Sequence, residues 1–414
     1  MKVLPLFAAG VALANAQSLP DPADLLEQAR DKVIGRVPPI GYACVATIDR
    51  SFFALETPPA IPNSCEQVSA DRKKNRTKLQ LDKTDRLRLQ ATLTSEGEIY
   101  SWTGPEGFSR NVEEVVHSGD IGTGALAAHI EAVFANPLVR FRLLSQTSQN
   151  LEFGFRVPVE ASHYLVKAGA GWRLTGYEGS LQIDPTSLEL RQLTIDTEEL
   201  PAESSMCESN TKMDYKPEDQ RTGGDGMLLP STVHSRDLNR DATETAETDW
   251  VTRFSDCREA SEKAPDRLRS APLFPPTFAA LLKLELTAPI DTSTAAAGDV
   301  VTARLSNSVR GPANSLAPAG AILTGRIMRL EHQKRKPSSF LIWLDFDTIE
   351  ANGVVSSIRA RLIGCGDPDP QICSIAKMSD QKWNRALHFH ADSPKIVVPR
   401  GFPSRWVTGD PPLK

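Results

Sequence analysis

The sequence predicts a mainly β fold of the α+β type. We expect a curved N-terminal antiparallel sheet, or half-barrel, with two covering helices, followed by a small C-terminal β-barrel or sandwich. Short stretches of alternating apolar and polar residues recur along the chain, as in Leu181–Ile183 and Leu188–Leu190. The 30 prolines and 26 glycines favour turns and short strands over long helices. The alternation slips by one residue near Arg191–Gln192, which predicts a β-bulge and a bent strand.

Length and composition limit the classes of protein to which this chain can belong. The 414 residues are enough for two ordinary domains. Hydrophobic residues at 40% and charged residues at 24% are typical of globular proteins that dissolve in water. A net charge of -5 and a pI near 5.9 give no basis for binding nucleic acid.

The first residues predict export. A basic start at Lys2, an apolar run over Val3–Ala14 and the small-residue site Ala14-Asn15-Ala16 have the pattern of a secretory signal peptide over residues 1–16. No later apolar run approaches about 18 residues, so no transmembrane segment is expected. We therefore expect a periplasmic or secreted protein that is soluble, or peripheral, after cleavage.

Six cysteines, an even number, suit an oxidising compartment. They allow 15 pairings, and closeness in the sequence favours Cys44–Cys65, Cys207–Cys257 and Cys365–Cys373. The alternative is a metal cluster, although no C-x-x-C pair supplies the usual zinc spacing.

The N-terminal domain is predicted over residues 20–258. Its first helix starts at Asp21-Pro22 and stops at Gly35. A second helix is predicted within residues 122–136, where apolar residues recur at helical spacing and Asn136-Pro137 ends it. The predicted strands are Tyr42–Phe53, Leu79–Leu93, Ile99–Trp102, Phe141–Leu144, Leu151–Val157, Tyr164–Val166, Leu181–Ile183, Leu188–Ile195, Met206–Tyr215, Met227–Val233 and Trp250–Cys257.

The C-terminal domain is predicted over residues 278–414, after a proline-rich linker at 259–277. Five short alternating stretches suggest a small barrel or sandwich. They are Leu282–Leu286, Val301–Leu305, Ile322–Leu330, Phe340–Phe346 and Ile358–Leu362. The tail from Cys365, with Ile396–Val398 and Trp406, is expected to fold back over this domain.

Two stretches resemble known families. The order of helix, antiparallel meander, interrupting helix and the strand-turn Leu181-Gln182-Ile183-Asp184-Pro185 resembles the periplasmic lipoprotein-carrier (LolA-like) half-barrels, over about residues 20–258. This resemblance implies a sheet that holds an apolar ligand, an acyl chain or a lipidated partner. The chain differs from the carriers in its two predicted N-terminal disulfides and its long acidic loops.

The second resemblance covers residues 282–350. The segment PIDTSTAAAGDVVTARL followed by LAPAGAILTGRI is similar to the small barrel of type IV secretion channel scaffolds, through Asp291, Gly298, Pro318, Gly320 and Gly325. This resemblance implies docking to another envelope protein. The membrane-piercing helices of those scaffolds have no counterpart in this chain. Together the two halves are similar to uncharacterised exported β-rich proteins.

No motif predicts catalysis or a cofactor. The sequence lacks H-E-x-x-H, G-x-S-x-G and Walker motifs, so we expect a non-enzymatic protein without a cofactor. His388 and His390 lie on one face of a predicted strand, which suits a metal as well as it suits a plain exposed face. The other histidines are scattered, and His129 is expected at the edge of its helix.

The best predicted site is an apolar groove between the second helix and the bent sheet. Its candidate residues are Leu126, Ile130, Phe134, Phe153, Phe155, Tyr164, Trp172, Tyr177, Leu181 and Ile183. The same residues also suit an ordinary core between helix and sheet. The sequence therefore favours a non-catalytic envelope protein that binds an apolar ligand or a lipidated partner. The alternatives are an envelope scaffold with protein contacts alone and a hydrolase with an unrecognised site.

Overall fold

The computed structural model describes most of the chain. The described residues are 21–56, 64–74, 78–103, 116, 121–197, 200–216, 226–240, 247–259, 273–275, 277–312, 315–365, 373–377 and 385–409. The predicted signal peptide and residues 260–272 of the predicted linker lie outside them. Within the described part the protein is mainly β with few helices, as predicted.

Three α-helices occur in the described part of the chain: α1 (Pro22–Ile34), α2 (Cys65–Lys73) and α3 (Ala128–Phe134). Helix α1 has the predicted bounds, and the Asp21 carboxylate accepts a hydrogen bond from the backbone N–H of Ala23 at 2.8 Å. The sequence did not predict α2, although Ser64 caps its N-terminus. Helix α3 is shorter than predicted, because the residues before it form turns.

Among the described residues of the N-terminal half there are twelve strands. They are β1 (Tyr42–Leu55), β2 (Leu79–Thr94), β3 (Gly97–Trp102), β4 (Arg140–Gln146), β5 (Leu151–Val157), β6 (Leu165–Ala168), β7 (Gly171–Leu174), β8 (Tyr177–Ile183), β9 (Leu190–Thr197), β10 (Met206–Tyr215), β11 (Pro230–Asn239) and β12 (Glu247–Glu259). Ten of them pair antiparallel in the order β3-β2-β1-β12-β11-β10-β9-β8-β5-β4. Strands β6 and β7 pair with each other as a separate hairpin.

Helices α1 and α3 cover one side of this sheet. Leu25, Ala29 and Val33 of α1 share a hydrophobic core with Ile130, Val133 and Phe134 of α3 and with residues of β5, β8, β9, β10 and β11. A second core lies against β1, β2 and β3, where Leu126 and Ala127 pack on the sheet. The segment before α3 therefore covers the β1–β3 end of the sheet, just as α1 and α3 cover the part formed by β5 and β8–β11.

The predicted β-bulge is confirmed. Gln182 of β8 lies opposite Gln192, whereas Ile183 lies opposite Leu190, so Arg191 is the extra residue in β9. The bulge lets Leu190 and Leu193 both reach the core despite their odd spacing, and both are buried.

In the C-terminal half, the part of the chain that the structure describes contains thirteen strands. They are β13 (Leu281–Leu286), β14 (Ile290–Asp291), β15 (Val300–Leu305), β16 (Val309–Arg310), β17 (Leu316–Ala317), β18 (Ile322–Gln333), β19 (Ser339–Ala351), β20 (Val354–Ser357), β21 (Ala360–Cys365), β22 (Cys373–Lys377), β23 (Arg385–His390), β24 (Val397–Val398) and β25 (Pro403–Thr408). Eight pair in the order β21-β25-β13-β15-β18-β19-β23-β22, and the bridge Cys365–Cys373 joins the first strand to the last. The order thus returns on itself around one hydrophobic core. The tail supplies β25 between β13 and β21, with Trp406 fully buried, instead of lying over the domain.

Main-chain hydrogen bonds join the two halves. Glu331–Gln333 of β18 pair antiparallel with Lys83–Asp85 of β2. The backbone N–H of Arg88 donates to the Ala297 carbonyl at 2.7 Å, and Ala297 donates in turn to the Arg86 carbonyl at 2.8 Å. The turn around Ala297 in the C-terminal half therefore docks on the N-terminal sheet.

Buried charges lie beside this joint. Arg50 and Asp85, which are 1% and 9% exposed, form a two-pronged ion pair with N–O distances of 2.8 and 2.6 Å. The fully buried Glu331 accepts hydrogen bonds from Arg329 at 2.5 Å and from Gln333 at 2.8 Å, and lies 3.5 Å from the Lys83 ammonium. Such groups lose their hydration on burial and need their partners, and the Lys83–Glu331 contact supplies one of these pairings from across the joint.

All six cysteines form disulfides, in the pairs Cys44–Cys257, Cys65–Cys207 and Cys365–Cys373. Only the third pairing was predicted. The other two predictions, Cys44–Cys65 and Cys207–Cys257, are wrong, because β1 and β12 are neighbours in the sheet although 213 residues separate their cysteines. No bridge joins the two halves.

Gly298 is expected to be hard to replace at the joint. Its φ is +102°, and a Cβ there would lie 2.1 Å from the Arg88 carbonyl oxygen on the N-terminal sheet. We expect Gly298→Ala to lower the free energy of unfolding by about 2–4 kcal/mol in urea titrations. Gly320→Ala is the matched control, since φ is +91° there but nothing lies within 4 Å of the Cβ position. Equal losses in the two variants would contradict close docking at Gly298.

Candidate functional site

The predicted groove residues are largely one packed core. Seven of the ten lie in the core between α1, α3 and the sheet: Ile130, Phe134, Phe153, Phe155, Tyr177, Leu181 and Ile183. Each of these side chains is at most 4% exposed. Tyr164 is partly buried against the same core, and Leu126 belongs to the neighbouring core beneath β1–β3. The described side chains themselves thus occupy the space between helix and sheet.

The prediction for Trp172 is wrong. Its side chain is 56% exposed and lies on β7 in the separate hairpin. The alternating pattern suggested that this stretch continues the main sheet, whereas β6 and β7 pair only with each other within the described residues.

A histidine pair, of which His129 is buried and His163 partly buried, lies at the end of this core. His129 is 2% exposed, and its Nε2 lies 3.0 Å from the carbonyl oxygen of Thr123. The His163 Nε2 lies 3.2 Å from His129 Nδ1. Gly124 makes room for the His129 ring, because a Cβ at Gly124 would lie 2.9 Å from Nε2. The pair therefore joins α3 to the segment that leads into β6.

The contacts fix the protonation of the pair. A carbonyl oxygen only accepts, so His129 Nε2 carries a proton and, in the neutral ring, its Nδ1 accepts from His163 Nε2–H. Burial lowers the pKa of His129 to about 3 and that of His163 to about 4. The proximity of the two rings lowers the pKa of His129 further. Both rings are thus neutral near pH 7.

Two tyrosines complete the cluster. The Tyr164 hydroxyl lies 2.9 Å from the Ser209 Oγ of β10. The Tyr177 hydroxyl is buried without a hydrogen-bond partner among the described residues, and its ring centre lies 6.3 Å from that of His129 and 6.1 Å from that of His163. A buried hydroxyl without a partner costs about 1–3 kcal/mol, so this position is unusual in a plain core.

Glu98 of β3 holds the segment in front of α3. Its carboxylate accepts hydrogen bonds from the backbone N–H of Gly124 at 2.9 Å and of Leu126, and from the Tyr100 hydroxyl at 3.1 Å. Burial raises the pKa of Glu98, while these hydrogen bonds act in the opposite direction. The carboxylate thus anchors the turns that place His129 next to His163.

Sequence reasoning missed the histidine pair. His129 precedes Val133 by four residues, so the helical spacing that marked Ile130 and Val133 as buried also places His129 near the apolar stripe. Its expected position at the edge of the helix is wrong. No pattern in the sequence links it to His163, because the contact arises from packing between separate elements.

The second pair of histidines lies in the C-terminal half. The rings of His388 and His390 on β23 are 4.3 Å apart between centres, and His388 Nδ1 lies 3.2 Å from the Ser374 Oγ. Among the described residues no group of three or more His, Cys, Asp or Glu side chains is placed to bind one metal ion. Neither histidine pair thus forms a protein-ligated zinc site of the usual three or four ligands within the described chain.

Two further results bear on identity. Within the described residues, none of the helices combines the length and the apolar character needed to cross a bilayer. The chain matches no family model, no curated protein and no solved structure.

Proposed function

We propose that this chain is a non-catalytic scaffold of an oxidising, extracytoplasmic compartment, which holds two β modules in a fixed relation so that both contact partner proteins. The observation that carries this proposal is the joint between the halves. Strand β18 continues the sheet at β2, and the turn around Ala297 adds two further main-chain hydrogen bonds.

The chemistry of the joint supports a fixed arrangement of the two halves. A pair of domains that move relative to each other usually meets through a small polar surface that water can enter. Here the Arg50–Asp85 pair and Glu331 are buried next to the paired strands. Opening the joint would separate the Lys83 ammonium on β2 from the buried Glu331 carboxylate on β18, a charge pair that crosses between the halves.

Two more observations support a scaffold. The interior between α3 and the sheet is filled by the protein's own side chains, as in a structural core. Three disulfides suit an exported protein, since thiols in the cytosol are kept reduced.

Partner capture in the source cells tests this proposal. A photo-crosslinking amino acid placed at Leu143 on the edge strand β4, or at Val354 in β20, would sample the two halves at exposed positions, 42% and 58% exposed. A scaffold is expected to capture defined protein partners from both halves, while the buried position Leu181 captures none. Stoichiometric lipid in organic extracts of the purified protein, with no protein captured from either half, would contradict the proposal.

The second candidate function is binding of an apolar ligand or a lipidated partner. The Tyr177 hydroxyl favours it, since a buried donor without a partner beside two neutral imidazoles suits a polar group of a ligand whose apolar part displaces α3. Titration with a fluorescent long-chain fatty acid tests it. Saturable binding by the wild type that Tyr177→Phe weakens would support this candidate, and identical binding by the variant would not.

A further inference from the structure

Two histidines of β23, His388 and His390, lie side by side on the outer face of the C-terminal sheet. Residues two apart on a strand point to the same face, and the intervening Phe389 belongs to the hydrophobic core on the opposite face. The ring centres of the two histidines are 4.3 Å apart. His390 is exposed and His388 is partly buried, so solvent and dissolved ions reach the pair.

The sheet fixes the positions of both side chains. Strand β23 pairs antiparallel with β19 on one side and with β22 on the other. Ligands that are carried by paired strands keep their spacing better than ligands on loops. The residues that pair with the two histidines in the neighbouring strands are Ser339, Leu341 and Ser374. All three are uncharged, so none of them repels a cation.

The separation of the rings suits two ligands of one metal ion. An imidazole nitrogen lies about 2.0 Å from a bound metal, which puts each ring centre about 3.2 Å from the metal. Two such rings at the right angle of a square-planar site have their centres about 4.5 Å apart, close to the 4.3 Å observed. A tetrahedral angle would put the centres about 5.2 Å apart. The spacing therefore favours Cu(II) or Ni(II) over Zn(II).

Ser374 on β22 orients one of the two rings. Its Oγ lies 3.2 Å from His388 Nδ1. A hydroxyl accepts hydrogen bonds as well as donating them, so Ser374 can accept from Nδ1–H, and the lone pair of Nε2 is then available to a metal. Histidines that bind metals commonly have such a partner on the other ring nitrogen, and this partner sets which nitrogen binds.

We propose that His388 and His390 bind one Cu(II) ion at the surface of the C-terminal half, with Ser374 as the positioning residue for His388. Cu(II) is the preferred ion because nitrogen sites bind it more tightly than Ni(II) or Zn(II). Water would fill the other coordination positions, since no group of three His, Cys, Asp or Glu side chains is placed to hold a metal among the described residues. No contact of the joint enters this site, so copper binding is independent of the scaffold role.

Copper titration of the purified full chain tests the site. We expect saturable binding of one Cu(II) per chain, with two nitrogen ligands in the electron paramagnetic resonance spectrum. His390→Gln should weaken binding at least about tenfold, because one of the two protein ligands is lost. Ser374→Ala should weaken binding about tenfold through the loss of ring orientation. Both replaced side chains are exposed, so circular dichroism should show the same fold in wild type and variants.

His234→Gln is the matched control. His234 is also a strand histidine, with a 50% exposed side chain, but its ring pairs with Asp249 in the N-terminal half. Its replacement should leave copper binding unchanged. Absence of saturable binding, a spectrum with a single nitrogen ligand, or equal effects of His390→Gln and His234→Gln would overturn the proposal. Unchanged binding by Ser374→Ala would overturn the positioning role of Ser374.

Discussion

Replacing Asp85 by alanine is expected to lower the free energy of unfolding by about 3–5 kcal/mol, because the Arg50 guanidinium would remain buried without its carboxylate. Arg50 is 1% exposed, and Asp85 meets it with both oxygens. Urea unfolding at pH 7, followed by circular dichroism, measures the loss. This residue lies where β2 continues into the joint, so the variant also probes how the two halves are held.

Asp49 supplies the matched control. It lies on β1 and pairs with Arg86 and Arg253, but its side chain is 35% exposed. Water can replace its partners, so Asp49→Ala should cost at most about 1 kcal/mol. In the double variant Arg50→Met/Asp85→Leu most of the stability should return, since an apolar pair leaves no buried charge. A loss for Asp85→Ala as small as that for Asp49→Ala would show that Arg50 finds other partners.

Acidification from pH 7 to pH 5 is expected to destabilise the protein through the histidine pair. In the unfolded chain both imidazoles have an ordinary pKa near 6.5, whereas in the fold the pKa is about 3 for His129 and about 4 for His163. Between these limits the unfolded chain binds more protons, so stability is full above pH 6.5 and falls as the pH drops towards 4 and then 3. At pH 5 each ring contributes a loss of roughly 2 kcal/mol, or about 4 kcal/mol for both.

Urea unfolding at pH 7, 6 and 5 measures how the free energy of unfolding changes with pH, which is the slope compared below. Glu98 raises the stability as the pH falls, because its raised pKa lets the folded state take up a proton before the unfolded state does. Carboxylates elsewhere in the chain add their own dependence of stability on pH. The comparison that isolates the pair is His129→Gln/His163→Gln, which should lose most of the histidine-dependent slope between pH 6.5 and pH 5. His234→Gln, a change at a half-exposed position paired with Asp249, should retain it. Equal slopes in both variants would mean that water reaches the pair in the folded protein.

Local patterns predicted the elements well. Asp21 and Pro22 start α1 because a cap and a preset φ act within one turn of chain, and the bounds of the helix agree. The slip at Arg191 predicted the bulge, since two leucines at odd spacing can both face a core only if one residue is left out of the pairing. Cys365–Cys373 was also predicted, because only eight residues separate the two cysteines in the sequence.

Long-range packing decided the site. Trp172 is a large apolar residue of the kind that lines a groove, yet it lies on a hairpin outside the main sheet. The alternation of side chains along a strand does not indicate which sheet the strand joins. The histidine pair was missed for the same reason. His129 and His163 are 34 residues apart and meet through packing between separate elements, with Glu98 holding the turns in front of α3.

The sequence by itself determined the mainly β class, the position of most strands and of the first helix, and the bulge in β9, because these depend on side-chain period and on turn or cap residues that act over a few residues. Only the tertiary structure decided the cysteine pairs Cys44–Cys257 and Cys65–Cys207, the antiparallel pairing of β2 with β18, and the burial of Arg50 with Asp85. Each of these joins residues far apart in the chain. Their contact is set by the order in which strands pair, and the local pattern of a strand does not encode its neighbours.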